Sequence, residues 1–297
     1  MVIRRHTLSR LLLTALAMGC LFQMGCRSGP RPATDATVPP PVEVVEHWNA
    51  RAERLDRLWG RVAVTFRFTD QDGRRRFEQG EGHFQLLDGT HLALSVGKLS
   101  EVMLWIGSDE TRYWLIERFE QRRAWFGAHE SFTREKGERI GLPIAPRELL
   151  VLMGLAPLDP DADWTTSRTK SGATLLTIRD PNSASSWRAE LAPDTRLPEK
   201  VELLNADGAV ILRAEHTVVR PAIIRYERSS DFDHIARAIS ISYPAADASL
   251  TINFDAELFD GRRTGRPRRS AFNLDGLLNA LGPMDEVVDL DAGVAMP

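Results

Sequence analysis

Seven histidines, at positions 6, 47, 83, 91, 129, 216 and 234, are the first residues to test for metal or acid–base chemistry. No two of them stand at an HxH or HExxH spacing, so the set predicts no metal site. Asp159, Asp161 and Asp163 begin like a calcium loop. Trp164 occupies the position that must turn and Lys170 the one that must close the loop, so the run reads as a solvated turn. Ser167-Arg168-Thr169-Lys170 has the spacing at which a lysine on the next helical turn deprotonates a serine. It lies in strand-like sequence, where residues i and i+3 point to opposite faces. Gly80-Glu81-Gly82 lacks the rest of a dinucleotide fingerprint, and G-x-S-x-G and P-loop patterns are absent from the sequence. No nucleophile–base pair emerges, and the expectation is a protein that is not an enzyme and needs no cofactor. A lipid-modifying enzyme is the weakest of three functional readings.

The two cysteines carry a different chemistry. Residues 1–25 hold Arg4, Arg5 and Arg10 and no acid, followed by the apolar run Leu11–Phe22, a secretory leader too short to remain as a membrane span. The run ends in Met24-Gly25-Cys26, after which Arg27-Ser28-Gly29-Pro30 turns polar. A small residue directly before Cys at the end of such a run resembles a bacterial lipobox, whose thiol is acylated and becomes the new N-terminus. Cys26 is the expected lipidation site. Cys20, after Gly19, is the rival. Both cysteines fall in the leader region, so the remainder has no disulfide, Cys-ligated zinc or Cys nucleophile.

The elements that must position any site follow from periodicity. Pro30, Pro32, Pro39, Pro40 and Pro41 make residues 26–42 an extended tether. Residues 43–59 carry Val45, Trp48, Ala52, Leu55, Leu58 and Trp59 at helical spacing and predict one amphipathic helix, stopped by Gly60. The period then becomes two. Val62, Val64, Phe66 and Phe68 open a series of about thirteen short strands joined by tight turns, an antiparallel meander rather than βαβ units. A second helix, Pro146–Met153, is apolar all round and should be buried. Residues 135–141 read as a loop. From Gly261 the chain becomes a basic tail, followed by an amphipathic piece over Phe272–Leu281. A sheet this large curls. With two apolar helices to cover it, an under-filled inner face is a candidate lipid-sized cavity. Apolar residues at 43%, charged residues at 27% and a net charge of −3 exclude a fibre and a disordered chain and give no pull toward nucleic acid. Outside the leader no apolar run nears the ~18 residues of a membrane-spanning helix.

The order of elements carries a resemblance. A lipobox cysteine, a tether, an amphipathic helix and a strand opening Trp59-Gly60-Arg61-Val62 are followed by Gly97-Lys98-Leu99-Ser100-Glu101-Val102-Met103-Leu104. Then come Leu142-Pro143-Ile144-Ala145-Pro146-Arg147-Glu148-Leu149-Leu150, Gly154-Leu155-Ala156-Pro157, Trp187-Arg188-Ala189-Glu190 and Leu197-Pro198-Glu199-Lys200-Val201-Glu202-Leu203. Over about residues 45–219 this resembles LolB, the outer-membrane lipoprotein receptor, and its LolA/LolB superfamily. Residues 220–297 extend past the family's usual end. The resemblance implies a mainly β (α+β) fold, a curved antiparallel sheet forming an unclosed β-barrel capped by short helices, whose hydrophobic cavity receives lipoprotein acyl chains. It also implies that the protruding loop leucine, here Leu99, helps place cargo in the membrane.

The expected organisation is therefore a lipoprotein signal peptide (1–25), an acylated Cys and tether (26–42), a half-barrel domain (43–260) and a basic extension (261–297). The inward set Val62, Val64, Phe66, Leu92, Leu94, Leu104 and Trp105 is the candidate groove lining, subject to register. The expected role is a monomeric, lipid-anchored envelope protein, at the outer membrane facing the periplasm. It would accept acyl chains from a periplasmic carrier and deliver lipoproteins downhill in free energy. The alternative is an envelope scaffold, a packed half-barrel that binds a protein partner through residues 220–297.

Overall fold

The computed structural model describes residues 37–69, 72–99, 101–179, 185–222, 233–260, 265–292 and 294–296. The expected leader, Cys20, Cys26 and most of the tether lie outside the described residues. Residues 38–297 form one compact unit.

Helix α1 runs over Pro41–Arg54 and buries Val44, Val45, Trp48 and Ala52 on one side. Proline at its first position suits a helix start, since the missing N–H has no partner there anyway. The helix is shorter than the periodicity predicts. Leu58, Trp59 and Gly60 belong to strand β1 (Leu58–Thr69), because they pair with Leu86, Gln85 and Phe84 of β2 (Arg75–Leu87). Ladder bonds to a distant strand outcompete little more than one further helical turn.

Strands β3 (His91–Lys98), β4 (Glu101–Ser108), β5 (Arg112–Arg118) and β6 (Arg122–Ala128) continue the meander. The stretch expected to be a loop contains helix α2 (Arg134–Arg139), whose Thr133 side chain accepts from Lys136 N at 3.2 Å. This is an N-cap, which satisfies a donor the helix leaves open. Helix α3 (Pro146–Leu152) follows, as expected, with Pro146, Leu149, Leu150 and Leu152 buried. Then come β7 (Trp164–Arg168), β8 (Thr174–Arg179), β9 (Ser185–Leu191), β10 (Pro198–Asn205), β11 (Val210–Ala222), β12 (Asp233–Tyr243) and β13 (Ala248–Phe254). A one-turn helix α4 (Glu257–Asp260), a 3-10 turn (Arg269–Phe272), helix α5 (Leu274–Leu281), β14 (Glu286–Asp289) and β15 (Val294–Met296) complete the described chain.

All fifteen described strands lie in one sheet, ordered β15-β14-β6-β5-β4-β3-β2-β1-β13-β12-β11-β10-β9-β8-β7. The sheet curves without closing, and β15 and β7 are its edges. Every pairing is antiparallel except β14 with β6. Part of what the sequence shows as an extension is central. Strands β12 and β13 lie between β11 and β1, with Val62 opposite Phe254 and Val64 opposite Ile252.

The inner face is filled. Val62, Val64, Phe84, Leu86, Leu92, Leu94, Ile239 and Ile252 share one buried cluster with Trp48 and Leu55, with Leu149, Leu150 and Leu152 of α3, and with Ile140, Leu142, Ile144, Leu155 and Leu158 around it. The connections on either side of α3 thus supply the apolar cover that two helices alone could not. Buried polar groups lock the arrangement. Arg51 of α1 donates to the Gly154 carbonyl and, at 3.0 Å, to the His234 carbonyl. His216 Nε2 lies 2.8 Å from the Leu152 carbonyl, and Trp48 Nε1 donates to Ala156 O at 2.9 Å. Of these acceptors only Leu152 belongs to α3, and its carbonyl is one that no helical N–H can reach; the Leu149, Leu150 and Val151 carbonyls accept from Met153, Leu155 and Gly154 N.

The C-terminal segment covers part of the opposite face. Gly265 lies against the Trp59 ring, where an added Cβ would stand 2.6 Å from Cδ2, so only glycine fits. Arg268 N donates to Gln85 Oε1 at 3.0 Å. Phe272 meets the His91 ring edge-on at 5.7 Å. Leu274 and Leu277 close over Trp114, Ile116 and Ala124. Asp291 then ties the segment down by accepting from Ala128 N at 2.7 Å, Lys136 Nζ at 2.8 Å and Ser131 Oγ. Burial works against its carboxylate, but these donors outweigh that and hold its pKa below the usual range.

Candidate functional site: a cleft beside the Leu99 hairpin

Strands β1 and β2 are paired out to Thr69 and Arg75, whereas β3 pairs with β2 only from Glu81 onward. The shorter β3–β4 hairpin closes at Lys98 opposite Glu101. The long hairpin therefore overhangs the short one, and Leu99 stands at the foot of this step. Three glycines make the step sharp. An added Cβ at Gly82 would run into the Ser95 carbonyl, one at Gly97 into the Glu101 carbonyl, and one at Gly80 would come within 2.6 Å of Val96 Cγ1. Glycine in a strand interior marks such a bend or close backbone approach.

The bend opens a cleft of about 1160 Å³, lined by both kinds of surface. Leu99 and Val102 supply accessible apolar groups, while Val62, Val96 and Phe254 border the cleft but are themselves buried in the inner core; Arg61, Lys98 and Arg237 share the lining with Glu81, Glu101 and Asp255. Three cations against three acids give the cleft no net preference for a charged ligand. The volume exceeds the ~300–1,000 Å³ of ordinary small-molecule sites, and the cleft lies open to solvent. His83, on the polar wall, has its pKa lowered by burial and by Arg61 and Arg268, so it is neutral near pH 7. Its ring lies 5.1 Å from that of Trp59.

Leu99 has a relative exposure of 102% and a φ of 51°. Positive φ is uncommon for a residue with a Cβ and costs on the order of 1 kcal/mol or more. A leucine that gains no burial at a strained turn adds nothing to folding that a glycine would not.

The structure divides the groove residues expected from sequence. Val62 borders the cleft, although it is itself buried in the inner core. Val64, Leu92 and Leu94 are sealed in the core, while Phe66 and Leu104 are partly buried against it. None of these five lines the cleft. Trp105 corrects the set. It follows Leu104 directly, and side chains alternate along a strand. It therefore faces the opposite side of the sheet, beside Ala93 and Phe272 under the C-terminal segment. The polar half of the cleft was missed from sequence. Alternation of Arg61, Ala63, Glu81 and His83 with apolar neighbours marks an outward face, but nothing local shows that a bend turns this face into a wall.

Elsewhere chemistry is sparse. Among the described residues no three His, Cys, Asp or Glu converge to hold a metal. Asp159 Oδ1 accepts from Asp161 N at 3.0 Å, and Trp164 Nε1 donates to Asp159 O at 2.7 Å, a self-bonded turn. Ser167 lies on β7, while Lys170 is in the turn that follows it. No described helix is long and apolar enough to cross a membrane.

These features define an open, curved antiparallel half-barrel capped by short helices, with a cleft where its longest hairpin overhangs the next. The same fold is found in a DUF1329 family protein from Desulfovibrio piger, at a TM-score of 0.51 and 10% identity over 81% of this chain and 100% of that one. Weaker likenesses, both at a TM-score of 0.44, are a putative outer membrane lipoprotein-sorting protein domain from Vibrio parahaemolyticus and a LolA superfamily protein from Nitrosomonas europaea. The first is 13% identical over 81% of this chain and 97% of its own; the second is 9% identical over 73% and 92%. No family model and no curated protein matches the chain.

Proposed function

We propose that this is an exported, lipid-anchored protein of the bacterial envelope that accepts acyl chains in the Leu99 cleft and delivers lipoproteins to the outer membrane without catalysis. The observation that carries the reading is Leu99, fully solvent-exposed on strained backbone at the border of the cleft. An apolar side chain held out from the end of two ladder-bonded strands is placed to enter a bilayer or to meet an alkyl chain. The leader and Cys26 supply the anchor, since acylation with more than one chain holds a protein stably at a membrane. Cargo would move from a periplasmic carrier to the cleft and on to the bilayer by differences in affinity alone.

Delivery of an acylated lipoprotein into outer-membrane vesicles, measured with Leu99→Glu, tests the role of the loop. Folding stays intact and delivery falls; undiminished delivery removes Leu99 from the mechanism. Cys26→Ala should release the protein from membranes, and retention through acylated Cys20 would reassign the anchor.

A second reading has its own support in the filled inner face. Val64, Leu92 and Leu94 are sealed under α1, α3 and the chain around α3, which suits a packed scaffold for a protein partner. A scaffold would hold no lipid in the cleft, and a partner would bind irrespective of acyl chains.

A further inference from the structure

Leu99 is not alone at its end of the sheet. The hairpins β1–β2, β3–β4 and β5–β6 are consecutive in the sheet order, so their turns all fall at one end of the strands. Large exposed apolar side chains gather there: Phe77 and Phe68 on the overhanging hairpin, Leu99 on the second, and Phe119 on the third, with Phe77 and Phe119 at 56% and 58% exposure. The register sets Leu99 and Phe119 at nearly the same height. Val96 pairs with Leu104 and Leu104 with Glu117, and the two tips lie three residues beyond Val96 and two beyond Glu117. Two strand spacings separate them, roughly 10 Å. Arg118 links the two hairpins by donating to Val102 O at 3.4 Å and pairing with Glu101 at 3.8 Å.

Charged groups flank the apolar tips. Residues 67–78, 98–101 and 117–123 contain eight Arg or Lys and six Asp or Glu, and Asp247, Asp285 and Glu286 reach the same end at Arg75, the Arg122 N–H and Arg123, so charges of both signs surround the tips. The Arg67 guanidinium lies 5.4 Å from the centre of the Phe77 ring, and Lys98 pairs with Glu78 at 2.7 Å. Phe and Leu ringed by Arg and Lys form a composition that settles at a lipid interface: rings and alkyl stems sink among the acyl chains while the charged heads stay at the phosphates. A single exposed leucine needs no such company.

We infer that the three hairpin tips form one membrane footprint, in which Phe119 and Phe77 enter a phospholipid bilayer together with Leu99. The inference rests on the reading of Leu99 given above and extends it to two further hairpins and one orientation, with the strands' hairpin end toward the lipid and the cleft mouth at the surface.

Environment-sensitive fluorophores on single introduced cysteines test it. The full chain carries Cys20→Ser and Cys26→Ser together with one of Leu99→Cys, Phe119→Cys, Phe77→Cys or Asp194→Cys. Asp194 lies in the turn between β9 and β10, at the other end of the strands. The probe is a vesicle of phosphatidylglycerol and phosphatidylethanolamine containing a spin-labelled quencher lipid. Emission from 99, 119 and 77 should shift to the blue and be quenched, with no change at 194. A shift at 99 alone would overturn the footprint and leave the Leu99 reading standing. Water-like emission at all positions would overturn both, and an equal shift at 194 would overturn the orientation. As a check independent of labelling at the tips, Phe77→Asp with Phe119→Asp should lower quenching at a probe on 99 several-fold. Unchanged quenching in that variant would also overturn the footprint.

Discussion

The two faces of this sheet are covered in different ways. The inner face is closed by α1, α3, α4 and the connections around α3, packed on strands from both halves of the chain. Among the described residues the outer face is closed over β1–β6, by the segment from Gly265 to Asp291, and its apolar clusters are far smaller. Between that cover and the hairpin tips lies the polar wall of the cleft. The inner face is therefore the seat of stability. The outer face and its hairpin end can vary in sequence and expose side chains that the fold does not need.

The sharpest way to break this contrast is to attack the bend. Gly82→Val places a side chain into the Ser95 carbonyl. It should cost on the order of 4 kcal/mol or more, beyond what most point mutations do, and urea denaturation would show little folded protein. Leu94→Ala in the inner core should cost about 2–5 kcal/mol through the cavity it leaves, read by the same transition. Leu277→Asp on the outer cover should instead loosen the C-terminal segment. Limited proteolysis would then cut near residues 265–292 while the main transition stays nearly in place; a collapse equal to that of Leu94→Ala would show the two faces to be one cooperative core.

A pH titration separates them further. Burial, with Arg51 nearby, lowers the His216 pKa from 6.5 to about 4, despite its bond to the Leu152 carbonyl. The unfolded chain then binds more protons than the folded one between those values. Stability is unaffected above about pH 6.5 and is lost as pH falls toward 4, by up to roughly 3 kcal/mol for this one group. His216→Gln should flatten that slope. The smallest effect belongs to Leu99. Leu99→Gly relieves a positive φ and should shift stability by no more than about 1 kcal/mol in either direction, since relieved strain and added chain entropy oppose each other.

Much of this was legible from spacing. The meander from Val62 to Phe126, the buried α3 and the exposed Leu99 follow from alternation, from an all-apolar helix and from a leucine between Lys98 and Ser100. Four things were not. Placement of β12 and β13 against β1 depends on pairings such as Val62 with Phe254, across almost the whole domain, which no local period encodes. The filled inner face depends on Ile140, Leu142, Ile144 and Leu155, which sit in irregular chain and give no periodic signal. The side taken by Trp105 depends on register, and an aromatic residue is equally at home on either face of a sheet covered on both. The parallel strand β14 was missed because four residues, Glu286–Asp289, are too few to show a pattern.

Native mass spectrometry of residues 27–297, purified without detergent, tests the acyl-chain cleft most directly. The prediction is extra mass equal to a fatty acid or phospholipid, lost on denaturation and regained when fatty acid is added. A clean apo mass with no uptake would contradict it and favour the packed scaffold.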